Sequence, residues 1–286
     1  MNRPLLVLSV FLLIPLQLFA QQVYFTDRKE AIAKFSPDNP EPVPIYESGE
    51  LAISGIAVDQ NAEWLYAMLD VEKLFRVRSD GSEVEIVAEF DTDPFGGAVI
   101  EVAVDDAKDT VYILGSTTLL KYDLKSHQLK PLVHEYEHYD LLPNRIALTD
   151  SFVYWSSRYE DLERGVIRRM AKNSRTPKTI VPEKYCYFVE ALTVVDGVLY
   201  WIASRPKGRV PYESAIYAAN ADGSHPRVIH APGNETAWPA NDLTHFENDL
   251  YFETVYGGIH RLNLATGGVE IFLKINFAVD YMHILP

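Results

Sequence analysis

A tyrosine flanked by apolar residues recurs six times along this chain, and the spacing of the copies leaves few folds open. The copies are Val23-Tyr24-Phe25, Leu65-Tyr66-Ala67, Val111-Tyr112-Ile113, Val153-Tyr154-Trp155, Leu199-Tyr200-Trp201 and Leu250-Tyr251-Phe252. Successive tyrosines lie 42, 46, 42, 46 and 51 residues apart. A steady period of this size marks a repeat architecture, in which each unit buries its apolar surface against its neighbours. The clearest unit is Val194 to Trp201, two apolar runs joined by Asp196-Gly197, a pair that favours a tight hairpin.

Each triplet is followed by a short amphipathic run, as in Leu74-Phe75-Arg76-Val77 and Ile216-Tyr217-Ala218-Ala219, and then by a turn such as Asp80-Gly81-Ser82 or Asp222-Gly223-Ser224. A third apolar run follows, for example Ile86-Val87 or Val228-Ile229, and a fourth precedes each triplet, as in Val102-Ala103-Val104 or Ile146-Ala147-Leu148. Four short strands per repeat are the blade of a β-propeller. The tyrosine strand would be second in its blade, with a neighbouring blade on each face, which accounts for its continuous rather than alternating apolar pattern. A β-sandwich also spaces short strands evenly, but it does not predict a six-fold register. The first tyrosine strand lacks a preceding partner, whereas Phe277 to Ile284 has the pattern of a first strand with no second one after it. These ends predict a single six-bladed, all-β propeller over residues 21–286, closed by pairing of the C-terminal segment with Val23 to Thr26.

Residues 1–20 combine Arg3, an apolar run from Leu5 to Leu13 and Leu18-Phe19-Ala20, the pattern of a cleavable secretory signal. The expectation is a secreted or periplasmic protein that is not inserted in a membrane. Without that segment the chain carries 25 basic side chains (26 less Arg3) against 40 acidic ones. A negative field of that size repels nucleic acid. Cys186 is the single cysteine, so no internal disulfide forms. It lies between Tyr185 and Tyr187 and reads as a buried structural thiol.

Val23-Tyr24-Phe25-Thr26-Asp27 followed by Ile32 and Lys34 resembles the YWTD repeat of the low-density-lipoprotein-receptor class B propellers, and Val153-Tyr154-Trp155-Ser156 and Leu199-Tyr200-Trp201 are similar. The resemblance spans residues 21–286 and implies a propeller that binds a partner. Asn144-Arg145-Ile146-Ala147 resembles more weakly a Pro-Asn-Gly-Leu-Ala stretch of gluconolactonase-type propellers, which hold a divalent metal in the central channel.

Two candidate sites follow. The connections between blades and those between second and third strands share one propeller face. From the tyrosine to the third strand the count is 7 or 8 residues in four blades, but 12 from Tyr154 to Val166 and 16 from Tyr200 to Ile216. These insertions carry Arg158 and Tyr159 in one blade and Arg205, Arg209 and Tyr212 in the next; with Trp238 they form the candidate ligand-binding set. Basic and aromatic side chains on an acidic protein suit an anionic or polar partner, whether protein, peptide or glycan. A solvated loop pair with no function is the alternative. Second, counting back from the tyrosines brings Asn144, Glu190 and Asn241 to one equivalent position at the channel mouth. Oxygen ligands suit calcium or magnesium, and Asp242 or Asp280 could add a carboxylate. A metal there could polarise an ester carbonyl, the basis for a hydrolase or lactonase as the second reading after the non-enzymatic binding module.

His134-Glu135-Tyr136-Glu137-His138 matches the H-E-x-x-H zinc pattern, which needs both histidines on one helical face. Here it falls in a connection ending at Pro143, and it reads as a polar inter-blade loop.

Overall fold

The computed structural model describes residues 21–286 apart from 27–29, 50, 60, 91–93, 135–140, 160–163, 206–212, 232–238, 255–257, 276–278 and 286; for 141, 205, 213, 239–241 and 280 it describes the backbone alone. The leader segment and the core of the H-E-x-x-H stretch therefore lie outside the described residues, as do Arg209, Tyr212 and Trp238. The described residues form six four-stranded antiparallel sheets, arranged as a six-bladed β-propeller. The innermost strands are Asp280–Leu285 in blade one, then Ile53–Val58, Val99–Asp105, Leu141–Leu148, Phe188–Val195 and Pro239–Phe246 in blades two to six.

Blade one closes the ring as the two ends of the chain predict. Gln22–Thr26 pairs with Ala31–Ser36 on one side and with Asp280–Leu285 on the other, with Val23 opposite Ile284 and Tyr24 opposite His283. Every tyrosine strand is second in its blade, and its residues are buried on both faces. Val153, Tyr154 and Trp155 are at most 1 % exposed, and Leu199 and Trp201 are fully buried.

The core is divided into six clusters, each made by two adjacent blades. Tyr154 and Ile167 of blade four, for instance, pack with Val189, Leu192 and Trp201 of blade five, and Cys186 is buried among them. Desolvation raises the Cys186 thiol pKa far above its usual range, consistent with a structural role. At the hairpin of blade five, Asp196 (φ +47°) and Gly197 (φ +75°) both adopt the left-handed conformation that a type I′ turn requires.

Candidate functional site

Every innermost strand is interrupted by a β-bulge near its start. The register slips between Ser54 and Ala57, Val99 and Glu101, Pro143 and Arg145, Val189 and Ala191, and Ala240 and Leu243; in blade one it slips where Tyr24 and Thr26 face the closing strand. A bulge re-aims side chains and takes a backbone amide out of the ladder. Six bulges at one level therefore surround the channel with irregular backbone.

Below the bulges the six tyrosines stand opposite Ala57, Ala103, Ala147, Thr193, Thr244 and His283. Two residues towards the strand starts lie Gly55, Glu101, Arg145, Ala191, Asp242 and Tyr281, and one further lie Ser54, Ile100, Asn144, Glu190, Asn241 and Asp280. Asn144, Glu190 and Asn241 thus share one register level, and register adds Ser54, Ile100 and Asp280 to it. Counting back from the tyrosine misses Ser54 and Ile100 because the hairpins of blades two and three are two residues longer. Tyr112 faces Ala103, nine positions back, whereas Tyr154 faces Ala147, seven back.

The next level inward carries the stronger electrostatics. Oε2 of Glu101 accepts the Ile146 amide of the following blade at 2.6 Å, and Asp242 accepts both the Leu243 amide at 2.8 Å and the Met282 amide of the following blade. In each case a carboxyl group satisfies a donor beside the neighbouring bulge, where an unmet buried amide would be costly. Burial pushes the Glu101 carboxyl up to about 8; Asp242 adds to this, while Arg145 and the Ile146 amide oppose it. Burial thus favours the protonated form of the Glu101 carboxyl. The Arg145 guanidinium donates to the Asn144 carbonyl at 3.0 Å and lies 5.4 Å from the centre of the Tyr281 ring, joining blades four and one across the axis. Tyr281 adopts φ +51°, a left-handed conformation costly for a bulky residue, and its hydroxyl donates to the Ile100 carbonyl of blade three. The intervening blade presents Gly55 at this level (φ +64°), where an added Cβ would lie 2.7 Å from the Val102 nitrogen.

Two of the three candidate metal ligands already have protein partners. Asn144 donates its amide to the Val189 carbonyl, and Glu190 accepts from Ser204 Oγ at 2.6 Å. Among the described residues no group of three or more His, Cys, Asp or Glu converges on one point.

On the face bearing the inter-blade connections, the second strands of blades four and five, Phe152–Tyr159 and Val198–Arg205, are eight residues long, against five or six in the other blades. Much of each counted insertion is therefore lengthened hairpin, with Arg158 opposite Gly165 and Arg205 opposite Glu213. The Arg158 guanidinium stands 5.2 Å from the Phe188 ring centre of the next blade, and burial alone lowers its pKa. Beside it, Arg164 lies 4.6 Å from the Tyr159 ring centre and 3.6 Å from Glu183. Phe188 was not singled out from the sequence, because an aromatic at the start of an inner strand reads as core. The lengthened hairpin brings Arg158 over it.

No family model matches the chain, and no curated protein matches it. Solved structures share its fold. A chain in the crystal structure of a nidogen–laminin complex is 13 % identical with a TM-score of 0.72, over 92 % of this chain and 98 % of that one. A gluconolactonase from Xanthomonas campestris is 14 % identical with a TM-score of 0.59, over 82 % of each chain. A prolyl endopeptidase is 16 % identical with a TM-score of 0.55, and the match covers 43 % of its length. The resemblances to YWTD and gluconolactonase propellers hold as likenesses of fold.

Proposed function

We propose that this protein is a secreted or periplasmic, non-catalytic binding module that takes a protein or peptide partner on the face bearing the inter-blade connections. The observation carrying this reading is the pair of guanidinium–aromatic contacts at the end of the lengthened blade-four hairpin, Arg158 with Phe188 of the next blade and Arg164 with Tyr159, on an otherwise acidic protein. Arginine and aromatic residues are enriched among the side chains that dominate binding energy at interfaces, where they fill well-packed, desolvated pockets. The likeness to a chain of a nidogen–laminin complex gives a precedent for partner binding on this fold. Arg205, Arg209, Tyr212 and Trp238 belong to the same proposal by sequence position.

The test is affinity capture from an extract of the source cells. The wild type is compared with the double variant Arg158→Glu, Phe188→Ala and with Lys125→Glu, an exposed hairpin control. A partner held by the wild type and the control but lost from the double variant is expected. Identical capture by all three proteins would refute the assignment to this face.

A hydrolase or lactonase acting at the channel mouth is the second reading, supported by the common level of Asn144, Glu190 and Asn241 and by the gluconolactonase neighbour. Asn144 is engaged by the Val189 carbonyl and Glu190 by Ser204, and among the described residues no group of three or more acidic, His or Cys side chains converges as calcium or magnesium sites usually require. The described residues therefore do not make a fitting cation cage, and no catalytic step is derived through a metal.

A further inference from the structure

The level opposite the tyrosines is built mostly of small side chains, Ala57, Ala103, Ala147, Thr193 and Thr244, and it leaves an axial cavity of about 310 Å³. That volume lies at the lower end of the range of small-molecule pockets. On the side of the bulges its wall carries Glu101, Asp242 and Tyr281, at the tyrosine level it adds His283, and one residue further along the blade-six strand it reaches His245.

Glu101 and Asp242 belong to blades three and six, which lie opposite one another in the ring. Glu101 is deep in the molecule, yet it keeps surface towards the cavity and uses only Oε2 on the protein, so among the described residues Oε1 has no hydrogen-bond partner. Each Asp242 oxygen accepts one backbone amide and retains accepting capacity. Nε2 of His245 is buried with no hydrogen-bond partner among the described residues. Among the described residues no lysine or arginine lines the cavity. Arg145 acts electrostatically on Glu101 and also donates to the Asn144 carbonyl and lies over the Tyr281 ring. Two carboxyl groups thus face one cavity whose described lining carries no cationic side chain, the Arg145 charge acting on Glu101 from outside that lining, and a bound cation would add to this partial compensation.

We propose that this cavity is a binding site for a small organic ammonium ion, held between Glu101 and Asp242. The ammonium N–H groups donate to the two carboxylates, and the Thr193 and Thr244 hydroxyls can meet a polar substituent on the same ligand. Binding drives the Glu101 proton into solvent, so one positive charge replaces another. Arg145 of blade four and Asp242 of blade six act on the Glu101 carboxyl, and His245, Tyr281 and His283 are the other ionisable residues among those lining the same cavity. This inference does not depend on the binding face proposed above.

The test is titration calorimetry of the full chain with ethanolamine, and with ethylene glycol as its neutral counterpart, near neutral pH in two buffers of different ionisation enthalpy. Ethanolamine is expected to bind with release of about one proton, because a group protonated in the unliganded protein is ionised in the complex. Ethylene glycol is expected not to bind. Glu101→Gln should abolish proton release and weaken binding by about tenfold or more. Thr193→Met fills the cavity without altering either carboxyl group and should remove binding. Absence of ethanolamine binding, equal binding of the glycol, or unchanged affinity in Thr193→Met would each overturn the proposal and leave a water-filled channel.

Discussion

Replacing Glu101 by Gln should remove one identifiable component of the pH dependence of stability. The ordinary value of 4.5 rises to about 8 in the folded protein, chiefly through burial. Between these values the unfolded chain has lost the proton and the folded protein has kept it. Stability conferred by Glu101 is thus fully present below 4.5 and lost as pH rises towards 8, at up to about 1.4 kcal/mol per pH unit. The full interval corresponds to about 5 kcal/mol, and to about 3.5 kcal/mol if the folded value lies one unit lower. Glutamine cannot ionise and keeps a carbonyl oxygen to accept the Ile146 amide. Other carboxyls that titrate differently in the folded state, such as Asp80, Asp123 and Asp222, are held low by hydrogen bonds from Ser82, Ser126 and Ser224 and cancel in the comparison. The assay is urea unfolding of both proteins at pH values from 5 to 8. The variant should gain on the wild type with each step in pH, with an excess of several kcal/mol at pH 8. Parallel stability profiles would refute the assignment of a buried, protonated Glu101.

Gly55→Ala should cost about 2–4 kcal/mol, since the new Cβ meets the backbone of blade three and the residue must keep a left-handed conformation. Gly49→Ala, with nothing within 4 Å, should cost about 1–2 kcal/mol from its backbone conformation alone, and equal losses in thermal melts would show that close approach is not what selects Gly55. Deleting residues 280–286 removes the buried Met282 and Ile284 and exposes both Gln22–Thr26 and the neighbouring blades, so the melting temperature should fall by roughly 10 °C or more; an unchanged melt would mean that the closing strand is dispensable. A calcium-dependent rise in melting temperature that Glu190→Gln abolishes is the outcome expected from the hydrolase reading, because a cation bound only by the native state stabilises it; no rise, or a rise indifferent to Glu190, would remove that reading's ligand set.

The blade architecture and the ring closure were legible in the sequence because both rest on local signals. A strand buried on two faces must be continuously apolar, as Val153-Tyr154-Trp155 is, and a tight hairpin must place residues such as Asp196 and Gly197 at positive φ. Repetition of those signals fixes the period, and the period fixes the blade count once the unmatched first and last strands are paired. The site was legible only in part. Asn144, Glu190 and Asn241 could be aligned because the hairpins of blades four, five and six have one length, and a two-residue change in blade three hid the position of Glu101. Only the tertiary structure decided that Glu101 and Asp242 cap amides beside bulges in the next blade, that Tyr281 takes a strained conformation to reach Ile100, and that Arg158 covers Phe188. These contacts join residues from different blades across register shifts, and neither hydrophobic period nor turn chemistry carries information about which bulged amide will need a partner.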